Sequence, residues 1–249
     1  MAAIFFAHLP LLAQGGGFVR EPGEGATSCV AENTTVCVGW AFDNFDRWTT
    51  PTLEHLLLVA SSVVAGFAIA FGLALISYGR RGLVPTFIGV TGVIYTIPSI
   101  ALFLILLPIT GRGTVTAIIA LTLYNLQIIY RNIVTGLANV PAASKDAGRG
   151  MGMTRRQLLW RVELPLAVPE IIAGLRIATV STVAIATLAI FAGAGGLGDV
   201  IYTQGLQNDV FKTAIVIGSL IAILMAVCFD SLYLLAQRAI SPWRSVRPI

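Results

Sequence analysis

Residues 139–169 read NVPAASKDAGRGMGMTRRQLLWRVELPLAVP, and this polar, basic stretch between two apolar runs decides how the chain is understood. Pro141 suits the first turn of a helix, where its missing N–H is not needed, so a short helix is expected from Pro141 to Gly150. Gly150 and Gly152 should break it. Thr154 and Gln157 then have the spacing of a capping box, in which each side chain satisfies an orphan amide of a new helix. Pro165 is expected to end that second helix and Pro169 to open the next span. The alternative is a merely basic, positive-inside connector, but such loops do not normally carry a capped helix pair with this spacing.

On either side the chain is too apolar for a soluble fold. Of 249 residues 56% are hydrophobic and 11% charged, with a mean hydropathy of +0.85, against roughly 25% charged in an ordinary soluble domain. Five runs are long enough to span a bilayer, at about 20 residues each. They lie near Leu53 to Tyr78, Val84 to Ile109, Thr114 to Leu137, Pro169 to Phe191 and Lys212 to Gln237. The fold class is therefore an all-α, polytopic membrane protein. Pro98 interrupts the second run within TIPS, which predicts a broken helix whose freed carbonyl needs a partner. With five spans, one face collects most of the Lys and Arg residues, from Arg80 to Arg247. The other face keeps Arg20, Arg47, Arg112 and Lys212. By the positive-inside rule the first face is cytoplasmic, which places the N-terminus outside and the C-terminus inside.

That topology divides the chain into an extracytoplasmic extension over residues 1–51, a membrane domain over 52–240 with a cytoplasmic loop at 138–168, and a cytoplasmic tail at 241–249. The opening MAAIFFAHLPLLAQ resembles a signal-peptide core but lacks a basic leader and is too short to cross; it reads as an interfacial or loosely packed segment, retained rather than cleaved, the alternative being a cleaved signal. Trp40, Phe42, Phe45 and Trp48 read as an aromatic patch at the interface. Cys29 and Cys37, both in the external extension, are candidates for a local disulfide, the alternative being two free thiols. Cys228 reads as a small buried residue.

The 139–169 stretch resembles the permease subunits of ATP-binding-cassette importers, whose cytoplasmic signature is EAA, three residues, Gly, nine residues, Ile, one residue, Leu-Pro. Here it stands as Asp146-Ala147-Gly148, Gly152, Val162 and Leu164-Pro165, with the spacing intact and Asp, Gly and Val as replacements. GMGMTRRQLLWRVELPLAVPEIIAGLR, YTIPSIALF and ATLAIFAGAGGLG look like the glycine betaine, carnitine and choline branch. The resemblance covers about residues 50–240. It implies a five-span permease core of the type I importer class, with cytoplasmic coupling helices on which an ATPase docks. It also implies two ATPase subunits, an extracytoplasmic substrate-binding protein and a second permease, identical or paralogous. The chain itself would bind no cofactor, ATP being used by the partner. The cargo would be a compatible solute, or alternatively another small zwitterion such as ergothioneine. An ATP-independent channel or carrier is a further alternative. Asp146, Arg149, Arg155 and Arg156 are the expected charged docking contacts, and Met151, Met153, Leu158, Leu159 and Trp160 the apolar ones.

GAGGLG at 193–198 fits a dinucleotide-binding glycine pattern, but that pattern needs a preceding strand in a soluble βαβ unit. Here the glycines follow an apolar helix on the outer face, so they read either as a tight turn with close helix approach near an outer gate, or as a flexible loop. Tyr95, Pro98, Ser99, Tyr124, Asn125, Gln127 and Thr187 are candidates for a pathway wall. Arg176 and Asp230, at matching depths in two spans, are a candidate intramembrane pair. No catalytic or metal-ligating pattern is visible, and no enzyme is expected.

Overall fold

The computed structural model describes residues 29–30, 33, 36–80 and 82–240. The first fourteen residues, most of the extension and the 241–249 tail lie outside the described residues. The elements are α1 (Val38–Asp43), α2 (Asp46–Ser77), α3 (Leu83–Thr96), α4 (Ser99–Thr110), α5 (Thr114–Ala138), α6 (Ala142–Gly150), α7 (Arg155–Leu158), α8 (Leu164–Ala186), α9 (Leu197–Asp199) and α10 (Lys212–Ile240). A π-helical turn at Leu159–Glu163 joins α7 to α8, and a 3-10 turn at Thr187–Ala192 follows α8. Among the described residues, four helical runs are long and apolar enough to cross a membrane: Asp46–Ser77, Thr114–Ala138, Arg155–Ala192 and Lys212–Ile240. The pair α3 and α4, bent by 96° at its break, makes a fifth if taken as one span.

Two boundaries differ from the sequence expectation. Helix α2 begins at Asp46 rather than near Leu53, so the end of the supposed extension is the first turns of the span; Asp46 suits that start because a carboxylate is favoured beside a helix N-terminus. The second difference is larger. Pro165 does not end the second short helix, and Pro169 lies inside α8. A proline ring clashes with the carbonyl four residues earlier and donates no N–H. For Pro165 that carbonyl belongs to Arg161, inside the π turn at Leu159–Glu163. The widened turn accommodates the ring, and the helix runs unbroken for 38 residues from Arg155 to Ala192.

The chain packs as two compact units. Among the described residues, one comprises those between 29 and 59, 99–118 and 183–225. At its N-terminal part Cys29 and Cys37 are disulfide-bonded, with Cα atoms 5.9 Å apart. Val30, Cys37, Ala41 and Trp48 bury themselves with Val200, Phe211 and Ala214. Trp40 meets Phe211 edge-on at 5.5 Å between centroids, and the Trp48 indole N–H donates to the Ala41 carbonyl at 3.1 Å. The expected four-residue aromatic patch is thus divided. Trp40 and Trp48 turn inward, while Phe42 and Phe45 are 74% and 63% exposed, because positions 40 and 48 face the Phe211 side. Polar contacts secure the same junction. Asn33 Nδ2 donates to the Val210 carbonyl at 3.0 Å, Asn33 Oδ1 accepts the first amide of α10, that of Lys212, at 3.2 Å, and the Cys37 amide donates to Thr213 Oγ1 at 3.0 Å.

Among the described residues, the other unit comprises those within 60–98, 119–182 and 226–240. Its centre is α5: Ile129, Tyr130 and Ile133 are completely buried against Ala70, Ala74, Ala167 and Ala178. Small residues let the backbones approach, as membrane helix packing requires in the absence of a hydrophobic drive between helices. At Gly66 an added Cβ would stand 2.7 Å from Asn125 Cβ. Helix α10 is mostly exposed, and Cys228, expected to be buried, is a free, exposed thiol on it.

The stapled N-terminal junction gives a prediction. Closing a loop of this size is worth about 2–3 kcal/mol in the chain-entropy treatment. Cys29→Ser/Cys37→Ser should therefore speed hydrogen exchange of the Lys212 amide by roughly tenfold or more, with α5 amides unchanged. Equal protection of Lys212 in both proteins would contradict the staple.

Candidate functional site

The short helices of 142–158 form a closely fitted pair. Pro141 precedes α6, Gly152 turns the chain at φ +77°, and the capping box closes α7, with the Gln157 amide on Thr154 Oγ1 at 3.3 Å and the Thr154 amide on Gln157 Oε1 at 2.8 Å. Gly148 is buried, and a Cβ there would sit 2.6 Å from Leu158 Cδ1. Its lack of a side chain is what lets α6 and α7 close on each other. Leu164 is buried too and Val162 half-buried, whereas Asp146, Ala147, Gly152 and Pro165 face outward. The motif thus divides into residues that hold the pair together and residues that show on its surface.

The expected contact residues divide in the same way. Leu158 and Leu159 are 4% and 5% exposed, so they belong to the interior, while Met151 and Trp160 are 69% and 49% exposed. Asp146 and Arg149 pair with each other at 3.0 Å, both well exposed, which contributes little to stability. Arg155 donates to the Gly79 carbonyl at 3.0 Å and is engaged within the chain. Thr154, Arg156, Gln157, Trp160 and Arg161 border an open hollow of about 450 Å³.

At the broken span, Ile97 is extended (φ −67°, ψ 129°), which is the conformation Pro98 imposes on its predecessor. The Tyr124 hydroxyl donates to the Ile97 carbonyl, and the Tyr95 ring meets Tyr124 edge-on at 5.7 Å. Gln127 Oε1 accepts from Thr91 at 2.5 Å, and Asn125 Oδ1 accepts from Thr182 at 2.8 Å. Tyr124 and Asn125 are buried and committed to these bonds; Tyr95 and Pro98 are exposed. Ser99, at the start of α4, and Thr187, bonded to the Ala184 carbonyl at 2.7 Å, are half-exposed.

The glycines of 193–198 make an ordered turn. Gly193 and Gly196 have φ of +81° and +96°. The Gly196 amide donates to Glu54 Oε2 at 2.9 Å, and a Cβ on Gly198 would meet the Thr187 carbonyl oxygen. His55, fully buried, places Nε2 3.1 Å from the Val183 carbonyl. Glu54 was not singled out by sequence reasoning. Its signal was a lone carboxylate at the beginning of an apolar run.

Arg176 and Asp230 form a two-pronged pair, Nε to Oδ1 and Nη2 to Oδ2, the latter at 2.9 Å. It is one of three polar links between α8 and α10. The Thr179 and Tyr233 hydroxyls are 3.1 Å apart, and Gln237 Nε2 donates to the Pro169 carbonyl at 3.2 Å. Among the described residues no group of three or more His, Cys, Asp or Glu side chains comes together.

Comparison with known proteins gives a match to the family described as "Binding-protein-dependent transport system inner membrane component" over residues 65–245. The choline transport system permease protein OpuBD of Bacillus subtilis is 41% identical over 212 residues, 84% of this chain and 88% of that protein. The carnitine transport permease protein OpuCD of Listeria monocytogenes is 37% identical over 195 residues, 78% and 86% of the two chains. Among solved structures, the MetNI methionine ABC transporter in an inward-facing conformation superposes with a TM-score of 0.66 at 25% identity, covering 78% of this chain and 95% of that one.

An unpaired charge in an apolar span is costly, whereas removing both partners is tolerated. Asp230→Leu should lower the thermal midpoint in detergent, and Arg176→Leu/Asp230→Leu should recover at least half of the loss. A single variant as stable as the parent would show that the pair contributes nothing.

Proposed function

The chain belongs to the family of binding-protein-dependent transport system inner membrane components, and on that premise we propose that it carries a quaternary ammonium compatible solute of the glycine betaine, choline or carnitine type. It is the permease subunit of an ABC importer, a transport subunit whose ATPase is a separate chain. The observation that carries the cargo class is the identity of 41% and 37%, over more than three quarters of this chain, with permeases named for choline and carnitine.

The assembly that follows has two permeases, identical or paralogous, two ATPases and an external substrate-binding protein. The ATPases dock on the surface formed by Asp146, Ala147 and Gly152 and by the Pro165 end of the motif, while Gly148, Val162 and Leu164 keep α6 and the start of the long helix in register. The N-terminus and the 193–198 turn face outward and the C-terminus faces the cytoplasm. Three lines support this orientation: the concentration of basic residues on the 139–169 face, the disulfide in the N-terminal segment, and the exposure of the docking residues. ATP binding and hydrolysis bias a two-state equilibrium between inward-facing and outward-facing forms. Tyr95 and Pro98 at the broken span, with Ser99 and Thr187, are the pathway candidates that keep exposed surface. Selectivity rests with the external binding protein, as membership of a binding-protein-dependent family implies.

The reading is tested by reconstituting the permease with its ATPase and binding protein and measuring uptake of labelled glycine betaine, choline, carnitine and ergothioneine. ATP-dependent uptake of one of the first three is expected. Ala147→Trp, a change on an exposed position, should reduce that uptake by about tenfold or more and release the ATPase on purification. Uptake of ergothioneine alone, or uptake without ATP, would reject the cargo class or the ATP coupling respectively.

A further inference from the structure

The turn that ends α2 is gripped by the segment that begins the long helix. Ser77, Tyr78 and Gly79 each meet a different part of it or of α5. Gly79 has φ +72°, and a Cβ there would run into the Arg155 guanidinium. Arg155 Nη2 donates to the Gly79 carbonyl at 3.0 Å, and the guanidinium lies 5.6 Å from the centre of the Tyr78 ring, within cation–π range. The Tyr78 hydroxyl donates to Glu163 Oε1 at 3.0 Å. Tyr130, completely buried on α5, donates to Ser77 Oγ at 3.0 Å.

Glu163 is the unusual member. It is 5% exposed, and an enclosed carboxylate is costly unless its oxygens are bonded. It closes the π turn at Leu159–Glu163, and such turns re-aim the side chains of a helix at functional sites. Its neighbour across the gap, Tyr78, is held as a neutral donor: burial first, and then the hydrogen bond to Glu163, push its pKa up to about 12. Arg155 is fixed in turn at the start of α7 by the capping box. A further contact, Phe71 against Trp160 edge-on at 6.2 Å, extends the grip along α2. The stretch that includes Arg155 and Glu163 is one rigid helical run, and α2 is tied to it at the bottom by side chains with fixed geometry.

We propose that Arg155, Tyr78 and Glu163 form a mechanical clasp through which movement of the docked helix pair is passed to α2 as well as into α8. They are positioning residues for the ATP-driven switch, not ATPase contacts. This inference rests on the permease reading above.

The test measures solute imported per ATP hydrolysed in the reconstituted complex. Tyr78→Phe/Glu163→Leu removes both partners and leaves no orphaned polar group. It should keep its ATPase and its thermal midpoint while the ratio falls by about fivefold or more, the lower end of typical coupling strengths. Glu163→Gln retains an acceptor oxygen for Tyr78 and should keep the parent ratio. If the double variant does not fold, Arg155→Lys carries the test, since a lysine cannot reproduce the planar contact; the same fall is expected. An unchanged ratio in the variant tested overturns the clasp. Loss of the ATPase from that variant overturns it too, because the residues would then serve docking. A parent complex without ATP-driven uptake would instead sink the permease reading itself.

Discussion

Lipid donates and accepts no hydrogen bonds, so every place where a spanning helix is interrupted must be supplied with partners by the chain itself. This constraint organises most of the polar residues. The span broken at Pro98 exposes the Ile97 carbonyl, and the Tyr124 hydroxyl reaches it. The turn after the 3-10 segment exposes the Gly196 amide, and the Glu54 carboxylate reaches that. The first amide of α10 is taken by Asn33 from the disulfide-closed segment. Each interruption is paired with a side chain distant in sequence, which is why polar residues recur in runs that hydropathy alone would leave apolar.

The same logic changes what the polar residues are available to do. Tyr124, Asn125 and Gln127 look from the sequence like the lining of a pathway, because a hydroxyl or amide in a span invites that reading. Tyr124 supports the break, Asn125 bonds Thr182, and Gln127 bonds Thr91. Within the membrane a polar side chain first answers the backbone and its neighbours, and only the remainder is free for cargo. At the helix pair of 142–158 the argument carries over to charges: Arg149 and Asp146 answer each other, and Arg155 answers Gly79. On the exposed surface where docking is proposed, Met151 and Trp160 add apolar area beside Asp146, Ala147 and Gly152.

Much of this was legible in the sequence, for reasons that can be named. The helix pair follows from local chemistry, namely Pro141, the positive-φ Gly152 and the Thr154–Gln157 box, none of which needs tertiary information. The spans follow from length and apolarity. The break follows from one proline. What the sequence hid depends on contacts between distant segments. Glu54 meets Gly196 across more than a hundred residues, and Gly148 is needed because of Leu158 opposite it. The division of the aromatic patch into Trp40 and Trp48 inside and Phe42 and Phe45 outside depends on where Phe211 lies. A helix end departs from its local signal where the terminator is outvoted. Pro165 stops an α-helix in isolation, but not one that has already widened into a π turn.

That last point bears on how a permease can be driven. A helix that ended at Pro165 would leave a flexible joint between the proposed docking segment and the span, and a push on one would be absorbed before reaching the other. The observed run has no joint from Arg155 to Ala192. The irregularity at its start, the π turn at Leu159–Glu163, is wider than an α turn but still hydrogen-bonded. It also delivers Glu163 to the interior, where Tyr78 meets it. A single local departure from α-helical geometry therefore does two things at once: it lets Pro165 pass without a break, and it supplies the inward-facing carboxylate that ties the neighbouring helix to the rod. The sequence needed for both is the short stretch from Leu159 to Pro165, within residues 139–169.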